Sequence, residues 1–392
     1  MMMGQRIGGA EGNQERGPEP AYCLRGHSDS VNAVTFMSAS VLATGGGDGC
    51  VKVWELVSRR PVLSFTPHGA KSILSLSALP QRERLVSCGR DGTVKTWDIN
   101  ALSAAAPNPG GTGADARTGA ISAWSCGPEA VLDAGFSQFC NACTDSMRLD
   151  ANVILAPAGG GGDESSFVVW DLRANPAKTP AVRITPADSS GGMLCSLAYL
   201  SQDPAVTAGG GDGSCGGESG PVAVAGYESG VMRRLCLRTH RVLSETATDG
   251  ESPALTVSAL AQPGKRRTLV AGGGGGQGLA VARMTAGATE GAAKETQHAQ
   301  QRHSIELPSA GTSVARLRSD GRLLFTGHWD CSVRLWDTKR LKPLAVVRFH
   351  RDSVYAGDFA PAGPAGHWLA TGGKDGCVAL WDLLADSYSY RA

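Results

Sequence analysis

Aromatic residues are scarce in this sequence, at 6% of 392 positions, and no run of 18 or more apolar residues occurs. A membrane-spanning helix needs about 20 such residues, so no membrane role is expected. Met1 to Ala10 contains no apolar block, which argues against a secretory leader. With Met2 behind Met1, the glycine needed for myristoylation is missing as well. Neither charge is in surplus, with 37 Lys+Arg against 36 Asp+Glu. A dedicated nucleic-acid binder normally carries a basic excess, so direct nucleic-acid binding is not expected. The longest basic run, Lys265-Arg266-Arg267, suits a solvated loop. The 11 cysteines are odd in number. They lie in apolar contexts such as Cys50-Val51 and Cys377-Val378, as expected of reduced, buried thiols in the nucleus or cytoplasm. One CxxC occurs, Cys140 to Cys143. It has no second pair at zinc spacing, so neither a metal nor a cofactor is expected.

Glycine is abundant, at 53 residues without a collagen period, which signals many tight turns and loose surface loops. The dominant pattern is self-similarity. LATGGGDGCVKVWEL from Leu42, LVSCGRDGTVKTWDI from Leu85, LFTGHWDCSVRLWDT from Leu324 and LATGGKDGCVALWDL from Leu369 share one design. In each, an apolar strand leads into a Gly turn with an acid, then an alternating strand ends in Trp. The acid-to-Trp offset is constant: Asp48 to Trp54, Asp91 to Trp97, Asp330 to Trp336 and Asp375 to Trp381. Two strands joined by such a turn form a β-hairpin. The same offset finds weaker copies: Glu164 to Trp170, Ser229 to Leu235 and Gln277 to Arg283. The seven hairpins lie from 43 residues apart (Trp54 to Trp97) to 73 (Trp97 to Trp170). The short intervals match the roughly 40–45 residues of a WD-type propeller blade.

Each hairpin supplies the two middle strands of a blade. The inner strands are expected at Val31–Phe36, Ile73–Leu79, Cys195–Leu200, Leu255–Leu260, Val314–Leu317 and Val354–Phe359, with blade three using Ala130–Phe136. Outer strands follow the Trp, as at Pro61–Phe65 and Pro343–Phe349. Few residues follow Trp381, so Tyr22–Arg25 is expected to complete the last sheet by pairing with Val378–Trp381. The expected fold is all-β: a seven-bladed WD40 propeller over 21–385, closed by its N-terminal strand and protected from edge-to-edge aggregation. Tails at 1–20 and 386–392, and inserts near 104–119, 204–220 and 284–301, are expected outside the sheets.

Three blades carry a further set of marks. His27, His68 and His350 precede inner strands, and Thr44, Ser87 and Thr371 lie four residues before the turn acids. Together with Asp48, Asp91 and Asp375 and with Trp54, Trp97 and Trp381, they can form buried hydrogen-bond chains, because a buried indole N–H needs a partner. A catalytic triad would use the same residue types, but three copies, each anchored on a Trp, favour a structural role. Gly372-Gly373-Lys374 is followed by Asp375 and so fails the phosphate-loop order. No catalytic residue is assigned. Residues just before the turn acids should share one face: Gly47, Arg90, Asp163, Glu228, Gly276, Trp329 and Lys374. Arg90, Asp163, Glu228, Trp329 and Lys374 form the candidate partner face. An exposed Trp beside Arg and Lys suits a protein partner; the same ring packed on neighbouring loops would be structural.

The chain resembles the family of guanine nucleotide-binding protein subunit beta-like protein 1, whose fungal relative is ASTRA-associated protein 1. The resemblance is carried by PAYCLRGHSDSVNAVTF (20–36), RLVSCGRDGTVKTWD (84–98), AGYESGVMRRLCL (225–237), GHWDCSVRLWD (327–337), PLAVVRFHRDSV (343–354) and LATGGKDGCVALWDL (369–383). It implies a non-catalytic scaffold: a monomeric propeller within a larger assembly, linked to the ASTRA complex and the Tel–Tti co-chaperones of phosphatidylinositol-3-kinase-related kinases, with a part in chromatin regulation. Two other readings compete. A heterotrimeric G-protein β subunit would need an N-terminal coiled-coil helix, for which Met1 to Pro20 has no pattern. A ubiquitin-ligase substrate receptor or histone binder would usually carry extra helical motifs.

Overall fold

The seven hairpins read from the acid-to-Trp offset all form, each becoming the middle strands of one antiparallel sheet. The computed structural model describes residues 19–79, 83–104, 127–136, 140–145, 150, 152–159, 164–174, 182–186, 191–203, 220–248, 252–262, 267–285, 299–361, 363 and 366–384. Strand β1 (Tyr22–Arg25) belongs to the last sheet. Blade one is β2 (Val31–Phe36), β3 (Val41–Gly46), β4 (Val51–Glu55) and β5 (Arg60–Phe65), and blade two is β6 (Ile73–Leu79), β7 (Arg84–Gly89), β8 (Thr93–Asp98) and β9 (Ala130–Asp133). Blade three has β10 (Val153–Pro157), β11 (Phe167–Asp171) and β12 (Val182–Ile184). Blade four is β13 (Leu194–Asp203), β14 (Gly220–Tyr227), β15 (Val231–Cys236) and β16 (Val242–Ala247). Blade five is β17 (Thr256–Gln262), β18 (Arg267–Gly273), β19 (Gly278–Thr285) and β20 (Ala299–Glu306). Blade six is β21 (Thr312–Leu317), β22 (Leu323–His328), β23 (Ser332–Asp337) and β24 (Pro343–Arg348). Blade seven is β25 (Val354–Phe359), β26 (Trp368–Gly373) and β27 (Cys377–Asp382), completed by β1.

Val34, Leu76, Cys143, Leu197, Ser258, Arg316 and Asp358, one residue from each blade, line a common axial cavity, which makes the arrangement a seven-bladed propeller. An apolar cluster fills every interface between neighbouring blades. Val53 and Leu63 of blade one meet Ile73 and Leu85 of blade two, and Phe325 and Val333 of blade six meet Phe359 and Trp381 of blade seven. Small polar side chains stitch the inner strands together: Asn32 Nδ2 donates to Ile73 O at 3.0 Å, Ser75 Oγ to Ala142 O at 3.0 Å, and Ser196 Oγ to Ala254 O at 2.7 Å. These bonds satisfy backbone carbonyls at the inner sheet edges, which would otherwise lack a partner.

Ala130–Phe136 is not the inner strand of blade three. Residues 130–133 are β9, the outermost strand of blade two, with Val94 opposite Leu132. Its alternation suits an outer strand: Leu132 is buried while Val131 and Asp133 face solvent. The inner position of blade three is taken instead by the segment around Cys143, which exchanges two backbone bonds with Leu155 at 2.8 and 2.9 Å. The insert expected at 284–301 is also shorter than that, because Met284 lies in β19 and 299–301 in β20. The remainder of that insert, 105–119, 204–219, 1–18 and 386–392 lie outside the described residues.

The ring closes as the sequence predicts. Strand β1 runs antiparallel to β27, with Tyr22 opposite Leu380, Leu24 opposite Val378 and Arg25 opposite Cys377. Leu24 is buried in a cluster with Val34, Trp54, Val378 and Leu380, so it joins blade one to blade seven. Across the same junction the Asp358 carboxylate accepts the Phe36 N–H at 2.9 Å. Leu24→Ala should therefore cost about 2–4 kcal/mol in urea unfolding, whereas Val57→Ser, at a position 84% exposed, should stay within about 0.5 kcal/mol. A Leu24→Ala cost no larger than that of Val57→Ser would show that β1 does not hold the ring.

Candidate functional site

The turns between the two middle strands of each blade gather on one face, and in blades one, two, six and seven the turn is built by its acid. Asp48 Oδ1 accepts the Cys50 N–H at 3.0 Å, Asp91 that of Thr93 at 3.0 Å, Asp330 that of Ser332 at 3.0 Å, and Asp375 that of Cys377 at 3.1 Å. This side chain-to-backbone bond is the reason an aspartate suits the position. The next residue is left-handed, at φ 75° for Gly49, 79° for Gly92 and 72° for Gly376. In blade six Cys331 adopts the same region at φ 66°, where a side chain is disfavoured.

Behind these turns the three expected chains are present. In blade one the Trp54 indole N–H donates to Thr44 Oγ1 at 2.8 Å, Thr44 Oγ1 lies 2.8 Å from His27 Nε2, and His27 Nδ1 lies 3.1 Å from Asp48. Trp97, Ser87, His68 and Asp91 repeat the order in blade two at 2.9, 2.8 and 2.8 Å. Trp381, Thr371, His350 and Asp375 do so in blade seven at 2.9, 2.9 and 3.2 Å. Burial works to raise the Asp48 and Asp375 carboxyls, but bonds from histidine and backbone N–H outweigh it and hold both at about 2. Thr44, Ser87 and Thr371 are 0% exposed, which places these hydroxyls inside their blades rather than at an open site.

Blade six carries a variant that the sequence reading missed. Trp336 donates to Thr326 Oγ1 at 2.9 Å, and Thr326 Oγ1 lies 2.8 Å from Nε2 of His328, which comes from β22 itself. His328 stands where Gly46, Gly89 and Gly373 stand in the other blades. At those glycines a Cβ would come within 2.5 Å of His27 Nδ1, 2.2 Å of His68 Cγ and 2.6 Å of His350 Nδ1. The imidazole thus arrives either from the preceding loop over a glycine or from the strand in the glycine's place. The signal was legible as GH in GHWD. Burial first, and then the Arg334 charge, push His328 down to about 4, so its ring is neutral at pH 7.

In five blades the residue before the turn position has its N–H tied inward to the loop preceding its own inner strand. Gly47 donates to Ser30 O at 2.7 Å, Arg90 to Ser72 O at 3.0 Å, Glu228 to Met193 O at 2.9 Å, Trp329 to Gly311 O at 3.0 Å and Lys374 to Ser353 O at 2.8 Å. The side chains of Arg90, Glu228, Trp329 and Lys374 are exposed on that face; Asp163 lies outside the described residues. The face also runs between blades, as Ser72 Oγ donates to Gly47 O at 3.0 Å and Ser353 Oγ to Trp329 O at 3.2 Å. Ser353 therefore fixes Trp329 and Lys374 side by side, with the Lys374 ammonium 3.2 Å from Asp352. Trp329 is 46% exposed, with the rest of its ring packed over Gly311, where a Cβ would come within 2.2 Å of Cδ2. It is both packed and presented: a fixed indole with one open side.

Cys140 is buried, and burial raises its thiol; burial also pushes the Cys143 thiol up to about 12. Among the described residues no group of three or more His, Cys, Asp or Glu could hold a metal ion, and no helix is long and apolar enough to cross a membrane.

This architecture defines the chain as a WD-repeat β-propeller protein. The WD domain, G-beta repeat family matches residues 18–55, 59–98, 301–337 and 341–382. Its homologues include the mouse (Mus musculus) protein named guanine nucleotide-binding protein subunit beta-like protein 1, 26% identical over 93% of this chain and 96% of that protein. They also include ASTRA-associated protein 1 of Verticillium alfalfae, 25% identical over 94% of this chain and 93% of that protein, and of Schizosaccharomyces pombe, 26% identical over 93% and 99%.

Because the His328 charge is disfavoured in the fold, its contribution to stability is complete above its ordinary value near 6.5 and is lost as pH falls toward 4. The loss should be on the order of 3 kcal/mol. His328→Gln should flatten the stability profile between pH 6.5 and 4 measured by urea titration; an unchanged slope would show that the ring is not held neutral. Separately, Thr371→Val leaves both the Trp381 indole and His350 without their hydroxyl partner. It should lower stability by about 1–3 kcal/mol in the same measurement.

Proposed function

We propose that this protein is a non-catalytic adaptor that works within an ASTRA-type assembly, docking protein partners on the face that carries Trp329. The observation that carries the reading is the fixed, half-open indole of Trp329 beside Lys374, on a face where Gly47, Arg90, Glu228, Trp329 and Lys374 are anchored by their own backbone. A rigid aromatic with one open side is what a protein interface uses as an anchor, since little side-chain entropy is lost on binding. The names of the fungal homologues support the ASTRA link, and the resemblance in the repeats extends it to the Tel–Tti co-chaperone assembly. Such a role belongs in the nucleus or cytoplasm, with a single propeller per assembly and no cofactor. The buried hydroxyls and the homologues' non-enzymatic names favour binding over catalysis.

Affinity purification of the tagged full chain should recover Tel–Tti proteins. Trp329→Ala combined with Arg90→Glu should reduce that recovery at least about tenfold, as expected of a hot spot worth some 2 kcal/mol, without lowering the melting temperature. Recovery of Gγ subunits, cullin adaptors or histones in place of Tel–Tti would overturn the reading, and undiminished capture by the double variant would remove this face from it.

A further inference from the structure

At the opposite end of blade six lies a basic cleft for which the repeat architecture has no use. It opens between the turn joining β21 to β22, the turn joining β23 to β24, and the start of β18 in blade five, with a volume of about 510 Å³. Arg267, Arg318, Arg322 and Lys339 line it against a single described carboxylate, Asp337, with Leu323 and Leu344 as apolar wall. In a chain of net charge +1 this density of cations is local. Arg267 is also the last residue of the longest basic run.

Two of the four cations are engaged within the fold and two are not. Asp337 is turned to the backbone, accepting the N–H of Lys339 at 2.7 Å and of Arg340 at 3.2 Å. Arg318 pairs with Asp320 at 2.5 Å, and Arg267 Nε donates to Gln262 Oε1 at 2.6 Å. The side chains of Arg322 and Lys339 are exposed, and neither makes a hydrogen bond or ion pair with another described residue. Arg283, which holds the Trp-equivalent position of blade five, crosses between the blades and donates to Thr338 O at 2.6 Å and Lys339 O at 3.0 Å, so the loop bearing Lys339 is fixed in place. Burial first, and then the nearby Arg267 charge, lower the Arg283 pKa, against the opposing pull of Asp337.

We infer that this cleft between blades five and six binds a phosphorylated, acidic peptide segment of a partner protein. Guanidinium groups match a phosphate dianion with paired, directional donors, and the leucine wall accommodates a neighbouring apolar side chain. A nucleic-acid strand fits less well, because the cleft is bounded and its lining contains no aromatic on which a base could stack. The site is distinct from the Trp329 face, from which it is separated by the length of β22 and β23, roughly 20 Å. Either site can therefore fail without the other.

Fluorescence anisotropy with the full chain tests this. The probe is a labelled decapeptide carrying one phosphoserine flanked by glutamates and a leucine, compared with its unphosphorylated form and a single-stranded oligonucleotide of equal charge. The phosphopeptide should bind with a Kd on the order of 10 μM, at least tenfold tighter than the unphosphorylated peptide and tighter than the oligonucleotide. Arg322→Glu with Lys339→Glu should abolish binding, the milder Arg322→Gln should weaken it several-fold, and Trp329→Ala should leave it unchanged. Unaltered melting curves would confirm that each variant is folded. A preference for phosphate below tenfold, tighter oligonucleotide binding, or binding that survives the double charge reversal would overturn the proposal, as would loss of binding in Trp329→Ala.

Discussion

The pairing of β1 with β27 is the contact on which the rest of the molecule depends. Each blade covers its apolar faces only by standing between two others, so an open array would leave one face of the first and last blades in water. Closing the array with a strand from the other end of the chain ties blade one to blade seven through the backbone, and Leu24 continues the apolar cluster across that junction. An axial cavity lined by inner strands of all seven blades exists only because the circle is complete.

Within that circle the hydrogen-bond chains are local reinforcement. Blades one, two, six and seven use a Trp–hydroxyl–His chain. In blades four and five the Trp position holds Leu235 and Arg283, yet both remain four-stranded sheets. What every blade shares is an apolar interface with its neighbours. Inter-blade burial therefore maintains the fold, and the polar chains fix the geometry of individual turns. The same division explains why blade six can change the origin of its histidine without losing its shape: the steric requirement is one imidazole beside the Thr326 hydroxyl, from whichever backbone can supply it.

The two faces inherit different physics from this scaffold. On the turn face the backbone N–H groups of Gly47, Arg90, Glu228, Trp329 and Lys374 are held by the adjacent loop, so side chains such as Trp329 are presented on rigid supports. On the opposite face, loops of unequal length allow charge to accumulate. There Arg283, freed from the Trp role, braces the neighbouring blade. A repeat fold can thus keep one surface regular and let another diverge, and partners read the differences rather than the repeat.

The seven hairpins, the closing strand and three of the four hydrogen-bond chains were legible in the linear order, because each depends on residues at short or constant spacing: in the strongest copies an acid six positions before a Trp, a hydroxyl four before the acid, and in the weaker ones the offset alone. The inner edge of blade three was not. An alternating stretch such as Ala130–Asp133 can serve as an inner or an outer strand, and only its partner decides which. The residues of the turn face could be named, but not whether Trp329 was covered or open, since that rests on Gly311 from another loop. Nor could the basic cleft be seen, because Arg267, Arg322 and Lys339 are far apart along a chain of nearly neutral charge. Local periodicity and turn chemistry act through covalent neighbours and so are written in the sequence. Exposure and charge density are properties of space, and they came into being only when the ring closed.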